Sequence, residues 1–474
     1  MTATDALHYL PVTELSELIA ERRLAPSELM SAVIARAEEV NPKLNALVAQ
    51  RFEAATREAA AADNEPSRGV LHGIPITLKD LAYETPDLPS TYGSRAFADY
   101  EPGFETVVGQ RLRTAGTIAI GRTNSPEFGL TNTCESAQFG PTSNPWRPEH
   151  TPGGSSGGAG AAVATGIAPL AAANDGGGSC RVPASSCGVV GLKPSRGRVP
   201  WAPTSYEWWA GFATNGPIAR TVEDVALLLD AMSGPVVGEP YGVPAPSESF
   251  LTASRRRPGP LRIAFSCTPP KPHDRLNAEV KQTFLAAVAN FEALGHTVTE
   301  IDHGLDGIFD SFIRVIAANT ALSVTQTVPL GSLNLLEPNT LGLAQRGWGL
   351  SAMDYCEAIN HLRTTAALSM ARWTEDFDVL LTPTLTDLPP LTGQMPSYDG
   401  DLDACYLHML GHNAFTYPFN ATGQPALSIP CGWSTSGLPI GLQIIGGMGQ
   451  EARVLALAAA YEEAHPWAAR KPPL

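Results

Sequence analysis

The chain has 474 residues, of which 43% are hydrophobic and 17% charged, a composition that supports a sizeable core and excludes a disordered chain. Its formal net charge of −15 argues against nucleic acid and anionic membranes as partners. Residues 1–8 contain no basic or apolar leader segment, and the most apolar stretch, 158–173, is too short to span a bilayer. We therefore expect a cytoplasmic protein with no nucleic-acid and no membrane partner.

The seven cysteines are an odd number and form no Cys-x-x-Cys pair, which excludes a disulfide scaffold and a zinc cluster. His408 and His412 have the spacing of a helical metal pair, but no acidic residue follows at a metalloprotease spacing. The sequence therefore predicts no metal site and no cofactor.

The predicted elements begin with helices and then change to alternating short strands and helices. Apolar periodicity in the first 65 residues predicts helices at 15–19, 26–37 and 51–62. Short apolar runs bounded by glycine or proline predict buried strands at 74–78 and 117–120, on either side of a helical pattern at 107–115. This alternation favours a doubly wound α/β core with a largely parallel or mixed sheet.

The alternation of predicted strands and helices continues to the C-terminus. The predicted elements are helices at 159–166, 221–232, 278–294 and 454–461 and strands at 167–173, 261–267, 379–381, 426–429 and 441–445. Segment 305–375 is rich in helical patterns, whereas the Pro- and Ser-rich segment 235–260 predicts a linker-like loop.

The residues that indicate catalysis are two serines in separate glycine-rich turns and a lysine upstream of them. Ser155 lies in Thr-Pro-Gly-Gly-Ser-Ser-Gly-Gly, Ser179 in Asp-Gly-Gly-Gly-Ser, and Lys79 follows the apolar run Ile-Pro-Ile-Thr-Leu. A serine hydroxyl needs a base, and a lysine serves only when burial keeps it neutral. The set predicts serine nucleophile chemistry with lysine as the base. Local sequence leaves open a second interpretation, an ion pair of Lys79 with Asp80 at a strand end.

The glycines before Ser179 present consecutive backbone N–H groups with no side chains in the way. Such a turn can form an anion nest for a tetrahedral oxyanion, or it can be a flexible surface turn. Ser155 also fits the Gly-x-Ser-x-Gly pattern, which requires an acid and a histidine downstream. None of the seven histidines that follow has a distinctive setting, and no Gly-Lys-Ser/Thr supports a phosphate loop.

The run from Gly153 to Ala184 resembles the signature of the amidase signature family, with only Cys180 departing from the usual aliphatic residue. The resemblance covers nearly the whole chain, through segments 73–80, 121–128, 140–146, 216–221 and 439–443. Segment 415–427 is most similar to bacterial stand-alone amidases of the 6-aminohexanoate cyclic dimer hydrolase, aryl acylamidase and urethanase type.

The resemblance implies one domain over 1–474, with a large mixed, mostly parallel β-sheet flanked by helices on both faces. N-terminal helices would occupy 1–65 and the catalytic core 66–235. A more variable helical region on the substrate side would follow at 260–375, and residues 376–474 would complete the core.

The resemblance also implies a role for each of the three residues. Ser179 matches the acyl-accepting nucleophile, Ser155 the bridging serine that follows a cis peptide bond, and Lys79 the base. Protons would pass from Ser179 through Ser155 to neutral Lys79 and return to the leaving amine.

The positions around the nucleophile are matched in the same way. The N–H groups of Gly176, Gly177, Gly178 and Ser179 correspond to an oxyanion hole. Asp175 and Arg181 correspond to positions where we expect a buried ion pair rather than substrate contact.

The residues that contact the substrate are harder to predict from the sequence. An aromatic loop at 201–212, with Trp208, Trp209 and Phe212, either lines an apolar pocket or packs under a long loop. Cys134 and segment 305–345 are further candidates for substrate contact. Aromatic loops favour a bulky or aryl amide over a small diacid amide.

The sequence therefore predicts a stand-alone hydrolase of a small-molecule amide or carbamate, and the resemblance is compatible with a homodimer. The alternative is the glutamine-hydrolysing subunit of an amidotransferase complex. An inactive binding protein is disfavoured, because all three catalytic positions are intact.

Overall fold

The computed structural model describes residues 7–203, 205–397 and 400–473. Its strands are β1 Leu47–Gln50, β2 Pro75–Lys79, β3 Ile118–Thr123, β4 Glu135–Ser136, β5 Gly140–Pro141, β6 Leu170–Asp175, β7 Val190–Lys193, β8 Thr214–Ala219, β9 Arg262–Phe265, β10 Thr297–Glu300, β11 Val379–Pro383, β12 Ala426–Trp433 and β13 Pro439–Gly446. Eleven of them form one sheet in the order β1–β3–β2–β6–β8–β7–β12–β13–β11–β9–β10, while β4 and β5 pair separately.

Helices from every part of the chain pack around this sheet. They are α1 Val12–Ala20, α2 Pro26–Leu44, α3 Phe52–Ala62, α4 Val107–Thr114, α5 Gly157–Ala164, α6 Arg181–Cys187, α7 Val222–Met232, α8 Phe250–Ser254, α9 Ala278–Ala293, α10 Phe309–Thr327, α11 Pro338–Trp348, α12 Ala352–Thr374, α13 Leu402–His412, α14 Pro418–Thr422 and α15 Glu451–Ala464. No helix among the described residues has the length and apolarity that a membrane crossing requires.

The prediction of an α/β fold with a large mixed sheet is confirmed, but parallel pairs do not dominate. The parallel pairs are β2–β3, β2–β6, β9–β11 and β9–β10. The other six neighbouring pairs of the described sheet are antiparallel. For β12 and β13 the connection gives the reason: five residues join these strands, and so short a loop permits only an antiparallel pair.

Both faces of the sheet are covered, as a doubly wound core requires. Along β6, Leu170 and Ala172 belong to one buried cluster, whereas Ala171 and Ala173 belong to another on the opposite face. Successive side chains of a strand point to opposite faces, so a continuous apolar run marks a strand buried on both sides.

The helix-rich segment predicted at 305–375 is present as α10, α11 and α12. The interpretation of 235–260 as a linker-like loop is wrong in part, because α8 lies within it. The Ser249 hydroxyl caps this helix, and Phe250 is buried beneath the Arg198 guanidinium at 5.4 Å from ring centroid to Cζ. This helix is short, and the prolines around it in the sequence obscured its helical pattern.

The pairing of β2 with β6 positions the site. These strands are parallel, with Leu78 opposite Ala172, so their carboxyl ends meet at one edge of the sheet. Lys79 is the last residue of β2, and Asn174 and Asp175 are the last two of β6. The glycine turn that carries Ser179 therefore begins beside Lys79.

Candidate active site

Lys79 is fully buried, and its ammonium group faces two polar side chains rather than a carboxylate. Lys79 Nζ lies 2.7 Å from Ser155 Oγ and 2.7 Å from Asn174 Oδ1. Burial lowers the pKa of Lys79 to about 8. The neighbouring Asp80 instead accepts hydrogen bonds from Thr91 and Gly93, so among the described residues the alternative Lys79–Asp80 ion pair does not form.

Asn174 was not predicted from the sequence, yet it orients the lysine. Its Nδ2 donates to the carbonyl of Leu81 at 3.1 Å, which directs Oδ1 toward Lys79. An amide oxygen only accepts, so it takes an N–H of Lys79 in either charge state. When Lys79 is neutral, its lone pair is then left to accept from the Ser155 hydroxyl. The available signal was the position of Asn174 at the end of an alanine strand, beside the glycine turn.

Ser155 lies in a tightly packed turn just before α5. The peptide bond between Gly154 and Ser155 is cis, as the resemblance implies. A Cβ at Gly154 would lie 2.4 Å from the carbonyl oxygen of Thr133, so only glycine fits there. This close packing holds the Ser155 hydroxyl against Lys79.

Ser179 follows the glycine turn and is 9% exposed, while Lys79 and Ser155 are almost wholly buried. Ser155 and Ser179 line the same cavity. Among the described residues the two hydroxyls form no hydrogen bond with each other. The structure thus contains the Ser155–Lys79 contact of the predicted relay, with Ser179 lining the same cavity as Ser155.

The predicted oxyanion hole needs one correction. The N–H of Gly178 donates to Asp175 Oδ1 at 2.8 Å and is therefore not available to a substrate. Within the described parts of the chain, the N–H groups of Gly176, Gly177 and Ser179 meet no protein acceptor. These three remain the candidate oxyanion donors.

A buried ion pair fixes the turn, as expected for Asp175 and Arg181. Arg181 contacts Asp175 in bidentate fashion, with Nη2–Oδ1 at 2.7 Å and Nε–Oδ2 at 2.9 Å. Burial alone would raise the pKa of Asp175, but the charge and hydrogen bonds of Arg181 lower it to about 2. Arg181 also donates to the Thr416 carbonyl, to Asn420 and to Gln443 at 2.8, 2.6 and 2.6 Å.

Glycine is required inside this turn. Gly178 has φ +136°, and a Cβ there would lie 2.3 Å from Thr416 Oγ1. A Cβ at Gly176 would lie 2.6 Å from the ring of Trp209. The turn is consequently a rigid, enclosed element rather than a flexible surface loop.

A cavity of about 700 Å³ opens in front of Ser179 and Ser155. Trp208 and Trp209 line it, and their contact with a substrate stays a prediction. Trp201, the first residue of the predicted aromatic loop, also lines it, but sequence reasoning missed the other aromatic residues of the wall: Tyr92, Phe97, Tyr100, Phe104 and Phe128. The density of aromatic residues between positions 92 and 104 was the signal that could have revealed it.

Segment 305–345 contributes to this cavity through α10. The residues from this helix that line it are Asn319, Thr320, Leu322, Ser323, Gln326 and Thr327. Because α10 also packs against α11 and α12, it connects the cavity with the helical region predicted on the substrate side.

The structure does not place two of the predicted substrate-contact residues, Cys134 and Phe212, on the wall of either cavity. Cys134 is fully buried away from the cavity, with Sγ 3.5 Å from Thr142 Oγ1, and burial raises the pKa of its thiol to about 11. Phe212 is a core residue whose ring stacks on Phe312 at a centroid distance of 5.8 Å. The neighbouring residues Trp208, Trp209 and Ala213 line the cavity. The sequence alone does not show which residues of this loop point to the cavity and which point to the core.

A second, much smaller cavity of about 30 Å³ touches Ser179 and Trp209 on another side, beneath α10 and α13. No described residue that lines either cavity is a histidine. Among the described residues, no group of three or more His, Cys, Asp or Glu side chains is placed to hold a metal ion. The interpretation of Ser155 as part of a Ser-His-Asp site has no geometric support.

The fold and this edge of the sheet define an α/β enzyme with a buried lysine and two serines at one cavity. Residues 28–455 match the model of the family described as Amidase, and the chain belongs to that family. It is an amidase, a hydrolase that acts on amides. The resemblance seen in the sequence is confirmed.

Relatives of this chain are similar to it over nearly their full lengths. An acylamidase of Rhodococcus erythropolis is 36% identical over 476 residues, covering 98% of this chain and 98% of the relative. A solved 6-aminohexanoate cyclic dimer hydrolase superposes with a TM-score of 0.93 at 33% identity, covering 98% of this chain and 99% of the other. A bacterial aryl acylamidase superposes with a TM-score of 0.89 at 30% identity, covering 99% and 100%.

Proposed function

We propose that this amidase cleaves its substrate through an acyl-enzyme on Ser179, with Ser155 and neutral Lys79 carrying the proton. The observation that carries the proposal is the buried Lys79 Nζ, 2.7 Å from Ser155 Oγ, at the cavity that Ser179 also lines. A lysine whose pKa is about 8 supplies a substantial neutral fraction near neutral pH.

The reaction begins when Ser179 Oγ attacks the amide carbonyl carbon. Its proton passes to Ser155 Oγ as the Ser155 proton passes to Lys79 Nζ, which requires the two hydroxyls to come within hydrogen-bond distance in the substrate complex. The N–H groups of Gly176, Gly177 and Ser179 stabilise the negative charge on the tetrahedral oxygen.

Collapse of this intermediate breaks the C–N bond and leaves an ester on Ser179. The proton held by Lys79 returns through Ser155 to the leaving amine. Water then attacks the ester, giving its proton to the same relay, and the carboxylic acid is released. An aryl carbamate presents a similar carbonyl carbon, so we propose carbamate cleavage as a second activity.

The cavity supports a bulky or aryl amide as substrate. Its volume of about 700 Å³ and its aromatic wall provide apolar surface that a two-carbon amide cannot cover. The names of two relatives, an acylamidase and an aryl acylamidase, are consistent with this proposal.

We expect acyl 4-nitroanilides and an aryl carbamate to be hydrolysed with a kcat/KM at least about 100-fold above that of acetamide or malonamate. Two causes contribute to this difference. Only the larger substrates bury apolar contact surface, at ~25 cal/mol per Å², and 4-nitroaniline is a better leaving group than ammonia. Release of 4-nitroaniline, of the carbamate's aryl amine and of ammonia measures the three reactions. Faster turnover of acetamide, or turnover of glutamine alone, would contradict the proposal and favour the amidotransferase alternative.

The pH profile tests the charge state of the base. Only neutral Lys79 accepts a proton, so kcat/KM should rise about tenfold per pH unit up to a pKa of about 8 and then level off. We would measure anilide hydrolysis between about pH 5.5 and 9.5, with an anilide that has no ionisable group in this range. A profile that is flat from pH 6 to 9 would exclude Lys79 as the titrating group.

A further inference from the structure

A buried carboxylate, Glu84, forms part of the cavity wall and is not used by the proposed mechanism. Glu84 is 1% exposed and lines the same cavity as the two serines. Its Oε1 accepts a hydrogen bond from the Tyr92 hydroxyl at 2.7 Å. Its Oε2 is buried and has no hydrogen-bond partner among the described residues. A buried carboxylate oxygen without a donor is costly, so a group that supplies one would bind favourably.

The charged groups around Glu84 favour a cation as its binding partner. Arg122 is a buried cation on which the charge of Glu84 acts, and its guanidinium group has other partners. Arg122 Nε lies 4.0 Å from Asp80 Oδ1, and the guanidinium group donates to the carbonyls of Lys79, Leu88 and Pro89. When Lys79 is neutral, as the mechanism requires, Arg122 alone is left to balance the two carboxylates of Asp80 and Glu84. The wall at Glu84 then has an excess negative charge.

The side chains beside Glu84 suit an amine on an apolar stem. Tyr92 stacks on Tyr100 at a centroid distance of 6.0 Å and lies 5.2 Å from the ring of Phe97. All three rings line the cavity. Aromatic faces attract ammonium groups and also cover methylene chains.

We infer that Glu84 recognises a protonated amino group of the substrate, so that the preferred amides carry an amine at a distance from the bond that is cleaved. The inference rests on the proposed function for the identity of that bond. It specifies the substrate class as amides of amino acids with an extended chain, or of diamines. Glu84 binds and orients this group and takes no part in the proton relay.

Glu207 provides a matched control within the same cavity. This second carboxylate also lines the cavity, but it is exposed to solvent and accepts a hydrogen bond from the Tyr241 hydroxyl at 2.7 Å. Water screens an exposed charge and satisfies its oxygens, so Glu207 should contribute little to selective binding.

Calorimetric titration of the full-length protein with n-hexylamine and n-hexanol tests the inference without requiring turnover. At pH 9 an alkylamine is still protonated while Lys79 is largely neutral. We expect hexylamine to bind at least about tenfold more tightly than hexanol, as a charge-assisted hydrogen bond implies. Glu84→Gln should abolish this preference, and Glu207→Gln should leave it unchanged. Equal affinities in the wild-type protein, or an equal loss in both variants, would overturn the inference.

Two further measurements keep the outcome clear. Should Glu84→Gln lower the melting temperature enough to prevent titration, Tyr92→Phe leaves Oε1 without its donor as well and should increase the preference for hexylamine. Anilide hydrolysis is measured on the same samples. Anilide turnover without amine preference would overturn the role of Glu84 alone, whereas amine preference without turnover would overturn the proposed reaction alone.

Discussion

Replacing Ser179 by alanine is expected to lower kcat/KM for anilide hydrolysis by about 10⁴- to 10⁶-fold, the range found when a serine nucleophile is removed. The hydroxyl that forms the acyl-enzyme is lost, while the N–H groups of Gly176, Gly177 and Ser179 remain in place. Binding of a substrate analogue should therefore change little. Release of 4-nitroaniline and the melting temperature would be measured on the same preparation.

Ser185→Ala is the control for this variant. Ser185 is buried on α6, six residues beyond Ser179, and lines neither cavity. Its replacement should leave kcat/KM within about tenfold of wild type, as expected for a residue outside the reaction path. If Ser179→Ala kept more than a hundredth of the activity, Ser179 would not be the nucleophile.

The second large effect is expected for Lys79→Met, which should lower kcat by about 10²- to 10⁴-fold, the usual contribution of a general base. Methionine fills the space of the lysine stem, so the buried site is not left with a cavity. The remaining activity should no longer follow the pKa of about 8, because the group with that pKa has been removed.

The chain offers a close control, Lys193→Met. Lys193 is also a fully buried lysine at a strand end; burial lowers its pKa well below the usual value, and its Nζ donates to the Pro194 carbonyl at 2.9 Å. It lines neither cavity, so its removal should leave kcat and the pH profile unchanged. A comparable loss in both variants would indicate that burial of a lysine, and not a base at position 79, accounts for the effect.

Local patterns predicted the elements well where a single face or cap decides them. The helix expected at 278–294 is α9, Ala278–Ala293, which begins where Asn277 Oδ1 accepts from Glu279 and Val280. The strand expected at 74–78 is β2, Pro75–Lys79. Strand direction was not predictable in this way, because the apolar run of one strand contains no information about the direction of its neighbours.

The three residues of the proposed relay were identifiable in the sequence, whereas their surroundings were much less so. Ser155 and Ser179 stand out because each lies in a glycine-rich turn, and Lys79 stands out because it follows an apolar run. Asn174 contacts Lys79 only because β2 and β6 are adjacent, and Phe212 leaves the cavity because its loop folds back into the core. Both facts depend on tertiary packing, which a pattern in one segment does not encode.

The contacts of Arg181 have a consequence for the order in which the protein is completed. Arg181 follows the nucleophile by two residues, but its partners Thr416, Asn420 and Gln443 lie 235, 239 and 262 residues later in the chain. During synthesis at about 5–20 residues per second, these partners are made roughly 10 to 50 s after the turn. Ser179, the proposed nucleophile, is therefore synthesised well before the framework that holds it, and the nascent chain acquires catalytic competence late in its synthesis.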